Sequence, residues 1–252
     1  MGMKIILSPA KKMNVENHRF PAETEPYFLK EAEALAQWMK GLSYEEAKTL
    51  WKCSDKLAQE NCLRLQDMDL RKNLTPAILA YDGIQYQHMG PMVFSERAWR
   101  YVQEHLYILS GFYGLLRPLD GVAAYRLEMQ AKAAVNGTKD LYEFWGSRIY
   151  DRLTEEAGPI INLASKEYAK AIEPYLKPED TFITCIFGEL KDGRVVQKGT
   201  QAKMARGDMV RFLAEKQITD LEGLKTFHTA GYEYQKNLSS EKKYVFLTGE
   251  KN

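Results

Sequence analysis

Apolar residues recur along this chain in two rhythms, short continuous runs and helical spacing, and their alternation predicts a mixed helix-and-strand fold. Ile5-Ile6-Leu7 opens the pattern as a buried strand from Lys4 to Leu7. Ser8-Pro9 stops it, because proline offers no amide to a ladder and keeps the residue before it extended. Ser8, Lys11 and Lys12 then leave the strand end as a small polar and basic loop. Phe28, Ala32, Leu35, Ala36 and Met39 repeat at helical spacing and predict a helix over Tyr27 to Met39. A second helix follows Ser43, where Glu46 completes a capping box, and a third runs from Ser54 or Asp55 to Gln66. Thr75-Pro76 starts another at proline's favoured first-turn position, and Asp82-Gly83 marks a turn.

Ser95 to Leu109 carries Ala98, Val102, Leu106 and Leu109 along one side, which predicts a helix running into Ser110-Gly111-Phe112-Tyr113-Gly114-Leu115-Leu116-Arg117-Pro118. Gly111 and Gly114 permit a tight turn there, whose free amides suit a phosphate when a new helix begins nearby. A helix corner, a DNA-contacting turn and a small-ligand loop are all compatible with that pattern. Arg126 and Glu128 lie two apart, so an extended segment puts both on one face, as an ion pair or as the wall of a polar cleft. Leu141, Phe144, Trp145, Ile149 and Leu153 form the core stripe of a helix from Lys139 to Glu156. After Pro159 a second buried strand, Ile160 to Leu163, leads to Ala164-Ser165 and a helix from Glu167 to Ile172. Polar residues at strand ends are natural site material, which singles out Asn162, Ser165 and Glu167. Thr181 to Phe187 and Arg194 to Val196 flank the turn Lys191-Asp192-Gly193 as an antiparallel hairpin. Thr200 to Lys216 is an amphipathic helix with Ala202, Ala205, Met209, Phe212 and Leu213 on one face and Lys203, Arg206 and Arg211 on the other. Tyr244 to Leu247 is the last strand.

Composition sharpens this picture in one respect. The 252 residues hold 35 Lys and Arg against 34 Asp and Glu, which suits one domain over the whole chain and excludes indiscriminate binding of polyanions by total charge. The balance is uneven, however. Glu16 to Glu46 holds seven Glu and three basic residues, a solvated outer face, whereas Arg194 to Arg211 holds five basic residues and one acidic residue. Cys53, Cys62 and Cys185 lack disulfide or zinc spacing, the four histidines are scattered, and no phosphate loop or dinucleotide fingerprint is present, so neither metal nor cofactor is expected. The apolar start is too short for a signal peptide and no run reaches membrane-spanning length, so the expectation is a cytoplasmic protein without membrane contact. Lys11, Asp82, Arg117, Asp120, Arg126, Glu128, Asn162, Ser165, Lys203 and Arg206 sit largely at turns or element ends. Brought together, they would make a deep cleft able to position an anion or conduct acid–base chemistry.

Several blocks taken in order carry a family resemblance: Ser8-Pro9-Ala10-Lys11, Leu109-Ser110-Gly111 through Asp120, Tyr125 through Met129, Leu141-Tyr142 with Phe144-Trp145-Gly146, Asn162-Leu163-Ala164-Ser165, and Lys203 with Ala205-Arg206-Gly207. From residue 3 to nearly the C-terminus the chain resembles the YaaA family (DUF328, UPF0246) of peroxide-stress resistance proteins. The resemblance implies an α+β, mixed-sheet fold with helices around a basic cleft and a helix-hairpin-helix-like element. It also implies duplex DNA as partner and a role in limiting iron-linked oxidative damage. Carried onto this chain, it puts the hairpin at Ser110 to Pro118, with Gly111 and Gly114 shaping the turn and Arg117 contacting phosphate. Lys11, Arg126, Lys203 and Arg206 would line the basic cleft, with Ser8, Asp82, Asp120, Glu128, Asn162 and Ser165 as further cleft candidates. It supplies no reaction and no catalytic residue, and a monomer is the expectation. The main alternative is an enzyme acting on a small anionic or nucleotide-like substrate. Its mark would be a closed pocket too small for a duplex, in which Arg126, Glu128, Asn162 and Lys203 converge. A cleft that binds another protein is the third reading.

Overall fold

Four consecutive residues with no exposed side chain, Lys4–Leu7, need strand partners on both edges and cover on both faces. In the computed structural model, which describes residues 2–14 and 20–249, this strand (β1) lies inside an eight-stranded mixed sheet. Glu16, the first residue of the Glu-rich stretch, lies outside the described residues. The other strands are β2 (Leu106–Ser110), β3 (Gly114–Leu116), β4 (Ile160–Asn162), β5 (Phe182–Lys191), β6 (Arg194–Val196), β7 (Tyr232–Tyr234) and β8 (Lys243–Thr248). Their order is β7-β8-β5-β4-β1-β2-β3, with β6 hairpinned onto β5. The five strands from β8 to β2 run parallel, in the register Ile5 beside Leu106 and Ile161. Lys4 is buried within β1, and its ammonium donates to the Glu156 carbonyl. Helices surround the sheet in an α+β arrangement, and the longest, Gly199–Lys216, packs on β5 and on the helices Ile84–Met89 and Glu96–His105. Among the described residues no helix is long and apolar enough to cross a membrane.

The connections define where a site can form. From β1 the chain passes to β2 on one side, while β4, on the other side of β1, leads outward to β5. The paths leaving the carboxyl ends of β1 and β4 therefore diverge, and such a switch point opens a crevice at the strand ends.

Much of the local pattern forms as expected. Ser43 and Glu46 make the capping box, and the helices Leu29–Lys40, Asp55–Gln66 and Gly199–Lys216 occupy their expected stretches. Three expectations need correction. The helix predicted over Ser95 to Leu109 stops at His105, because Leu106 to Ile108 pairs with β1 and Leu109 continues the same strand against β3. Thr75–Pro76 is extended and pairs with Gly121–Val122, and only a four-residue helix, Ala77–Ala80, follows it. The helix expected from Lys139 to Glu156 is two, Leu141–Trp145 and Arg148–Thr154, broken at Gly146, where φ is +50°.

The hairpin is corrected more deeply. Ser110 to Leu116 lies in an antiparallel strand pair, β2 with β3, closed by Gly111-Phe112-Tyr113, with Arg117 and Pro118 just beyond it, so helices do not flank the turn. Phe112 and Tyr113 are fully buried, and their amides donate to Ser110 Oγ at 3.1 and 2.8 Å. Those amides are spent inside the protein. Gly114 takes φ +70° beneath the Trp145 ring, 2.8 Å from where a Cβ would stand. A Cβ on Gly111 would lie 2.7 Å from the Leu127 carbonyl oxygen, so this glycine lets the Arg126–Glu128 segment pack against the turn. Its contribution to the site is indirect.

Candidate functional site

Ser8 and Ser165 leave the carboxyl ends of β1 and β4, and the two ends are tied together. The Ser165 amide donates to Ser8 Oγ at 2.8 Å, with the two hydroxyls 3.4 Å apart. The Ser8 carbonyl accepts from Gln85 Nε2 at 3.0 Å and from the Tyr86 hydroxyl at 2.9 Å. A cleft of about 380 Å³ opens over this knot. Ser8, Lys11, Asp82, Arg126, Glu128, Ser165, Lys203 and Arg206, all singled out from sequence, line it together with Lys12, Gln85, Tyr86, Tyr125, Glu167 and Tyr168.

Charges in the cleft fall into two groups. Lys11 Nζ lies 2.9 Å from Glu128 Oε1, and Arg126 Nη2 approaches the same oxygen at 3.8 Å while its Nε donates to the Trp51 carbonyl at 3.3 Å. The ion pair expected between Arg126 and Glu128 is therefore present, shared with Lys11. Lys12 pairs with Asp82, and that contact, helped by Gln87, holds the Asp82 carboxyl below its ordinary pKa. Lys203 and Arg206, one turn apart on the long helix, have no ion-pair partner among the described residues. Lys203 is exposed, whereas Arg206 Nε is buried without a hydrogen-bond partner, and burial lowers the guanidinium's pKa.

Glu167 behaves differently from its neighbours. Burial raises its carboxyl pKa and the charge of Glu128 adds to the rise, against the Gln130 amide that donates to it at 3.2 Å. A carboxyl raised in the fold stabilises it fully below the ordinary carboxylate pKa and loses that contribution as pH rises through the raised value. Glu167→Gln is therefore expected to flatten the fall in the urea midpoint between acid and neutral pH. A pH profile identical to that of the unaltered protein would refute this assignment.

The remaining candidates lie elsewhere. Asn162 is consumed at the end of β4, accepting from the Ala164 amide at 2.9 Å and donating to Thr184 Oγ1 at 3.1 Å. Arg117 and Asp120 form a knot beyond the hairpin: Arg117 Nη2 is 2.8 Å from Asp120 Oδ1, the Arg117 amide donates to Oδ2 at 2.8 Å, and the Thr24 hydroxyl donates to Oδ1 at 2.6 Å. The Arg117 guanidinium also donates to the Glu25 carbonyl at 2.7 Å and stacks on Tyr27. Sequence reasoning passed over Gln85, Tyr86, Tyr125 and Tyr168 as site residues because a lone aromatic or amide inside a helix or an apolar stretch reads as packing. Tyr125 does both: it lines the cleft, and its hydroxyl, 2.8 Å from Tyr81 and 2.6 Å from Ser110 Oγ, ties the cleft wall to the hairpin. Burial pushes this phenol up to about 12.

Comparison with known proteins places the whole chain. A family model described as peroxide stress protein YaaA matches residues 3–238. A UPF0246 protein of Lachnoclostridium phytofermentans is 54% identical over 250 residues, covering 99% of this chain and 98% of the relative. Similar proteins come from Lactiplantibacillus plantarum, 54% identical over 245 residues (97% of this chain, 99% of the relative), and Pediococcus pentosaceus, 52% identical over 248 residues (98% and 99%). Matches of this extent leave no segment of the fold or the cleft outside the likeness, and the chain belongs to the YaaA (UPF0246) family of peroxide stress proteins.

Proposed function

We propose that the protein contributes to peroxide resistance by binding duplex DNA along its phosphate backbone, with the mouth of the cleft as the contact face. The observation that carries this reading is the set of exposed cations around one opening. Lys203, without an ion-pair partner among the described residues, shares it with Lys11 and Lys12, whose side chains are 65% and 74% exposed. The lysine ends of these ion pairs reach solvent while their carboxylate partners, Glu128 and Asp82, are only 17% exposed, so a phosphate can approach each ammonium from the solvent side. Contacts of this kind position a duplex without reading its bases, and they release counterions on binding. Coverage of the duplex is, in this reading, how iron-linked oxidative damage is limited. The glycine turn and Arg117 take no part, since their polar groups are engaged within the fold.

Fluorescence anisotropy with a short duplex across a salt series tests the assignment on the Lys11→Ala/Lys203→Ala double variant. Two lost phosphate contacts are expected to make the slope of log affinity against log salt shallower by about 2 and to weaken unrelated sequences equally. An unchanged slope and affinity would remove the cleft mouth as the binding face.

A further inference from the structure

The lining of the cleft includes a half-buried cation, Arg206, that the fold does not balance. Arg206 Nε is buried without a partner, and no carboxylate among the described residues pairs with its guanidinium. Arg206 is half-buried, and drawing a cation partly out of water without a counter-charge carries a cost that a paired anion usually offsets. The buried Cys185 thiol close by cannot serve, because burial pushes it up to about 12 and leaves it neutral. Of the three carboxylates that line the cleft among the described residues, two are already committed, Asp82 to Lys12 and Glu128 to Lys11 and Arg126. Among the described residues, five cations facing three carboxylates leave two positive charges in excess, the charge of a phosphate monoester dianion. Beside them stand the buried rings of Tyr125 and Tyr168, an apolar wall of the kind that flat rings pack against. The volume, about 380 Å³, lies within the small-ligand range of about 300–1,000 Å³.

From this arrangement we infer that the inner cleft binds a phosphate monoester of nucleotide size, the phosphoryl group at Arg206 and Lys203 and the ring portion against Tyr125 and Tyr168. The inference shares Lys203 with the duplex contact face proposed above and differs from it at Arg206, whose Nε is buried while Lys203 is exposed, so Arg206→Met on an unphosphorylated duplex separates the two readings. Its ligand chemistry has two sources, a free nucleotide and the 5′-phosphate end of a DNA strand.

Isothermal titration with the 5′-monophosphates of adenosine and thymidine and with the parent nucleosides addresses the first source. Anisotropy with a short duplex bearing or lacking 5′-phosphates addresses the second. Phosphate-dependent binding is expected in one of the two arms, and the arm that shows it names the source. Arg206→Met is expected to weaken that binding roughly 10- to 100-fold. Its melting temperature without ligand should equal or exceed that of the unaltered protein, because an unbalanced, half-buried charge has gone. Lys203→Gln, at an exposed position, should lose roughly 10-fold and keeps the inference testable if Arg206→Met does not fold. Equal binding of nucleotides and nucleosides with no preference for phosphorylated ends, or full phosphate-dependent affinity in Lys203→Gln, would overturn it. Loss of rim-dependent salt sensitivity on an unphosphorylated duplex would count against the duplex reading alone.

Discussion

Gly207→Ala is expected to destabilise the protein by about 3 kcal/mol or more, at the upper end for forced overpacking of an interior. Gly207 lies where the long helix Gly199–Lys216 crosses the helix Ile84–Met89, and a Cβ there would stand 2.0 Å from the Gln85 carbonyl oxygen. That obstacle is backbone, so no rotamer change relieves it and the two helices must separate. Separation reaches the site directly. Gln85 and Tyr86 anchor the Ser8 carbonyl from one helix, and Arg206 precedes Gly207 on the other. For a chain of this size the loss corresponds to a fall in melting temperature of roughly 6–12 °C, with ligand affinity falling as well. A melting temperature within about 2 °C of the unaltered protein would contradict this account of the helix crossing.

The second large effect lies away from the cleft. Asp120→Ala is expected to cost about 3 kcal/mol, the scale for removing one partner of a buried ion pair. Asp120 is fully buried, and burial raises its pKa despite the donors gathered around it. Its loss strands the Arg117 amide and the Thr24 hydroxyl, leaves the Arg117 guanidinium with only the Glu25 carbonyl and the Tyr27 ring, and loosens the isolated pairing between Thr24 and Asp120 that holds the chain before the first helix. Because none of these groups lines the cleft, binding per folded molecule should be unchanged. Chemical denaturation read beside duplex affinity separates the two effects, and a loss of affinity without a loss of stability would return Asp120 to the site.

These contrasts show what was legible in the chain. Ser8, Ser165, Arg126, Glu128, Lys203 and Arg206 could be picked out because each follows a short apolar run, shares an extended face with a partner, or occupies the polar side of an amphipathic helix. Those local patterns survive folding. Asn162, Arg117 and Asp120 have equally suggestive contexts, yet their polar atoms turn inward to Ala164 and Thr184 or to Thr24 and Glu25, partners that local pattern does not identify. The hairpin departs from the expected helical corner for a related reason. Leu106 to Leu109 extends a helical stripe as readily as it forms a strand, and the pairing with β1 decides between them. Once that run is a strand, the glycines that follow close a β-turn, and their role passes from phosphate contact to close packing. The near-neutral total charge says nothing of the cleft, whereas the local surplus over Arg194 to Arg211 points to Lys203 and Arg206, two of the five cations that line it among the described residues.

Hydrogen–deuterium exchange with and without a short duplex tests most directly whether the cleft, rather than the hairpin, is the binding site. The account predicts added protection in Ser8 to Met13, in the Glu128–Gln130 segment and in the long helix around Lys203, with none in Gly111 to Arg117. Protection confined to Gly111 through Arg117, with the cleft segments unchanged, would contradict it.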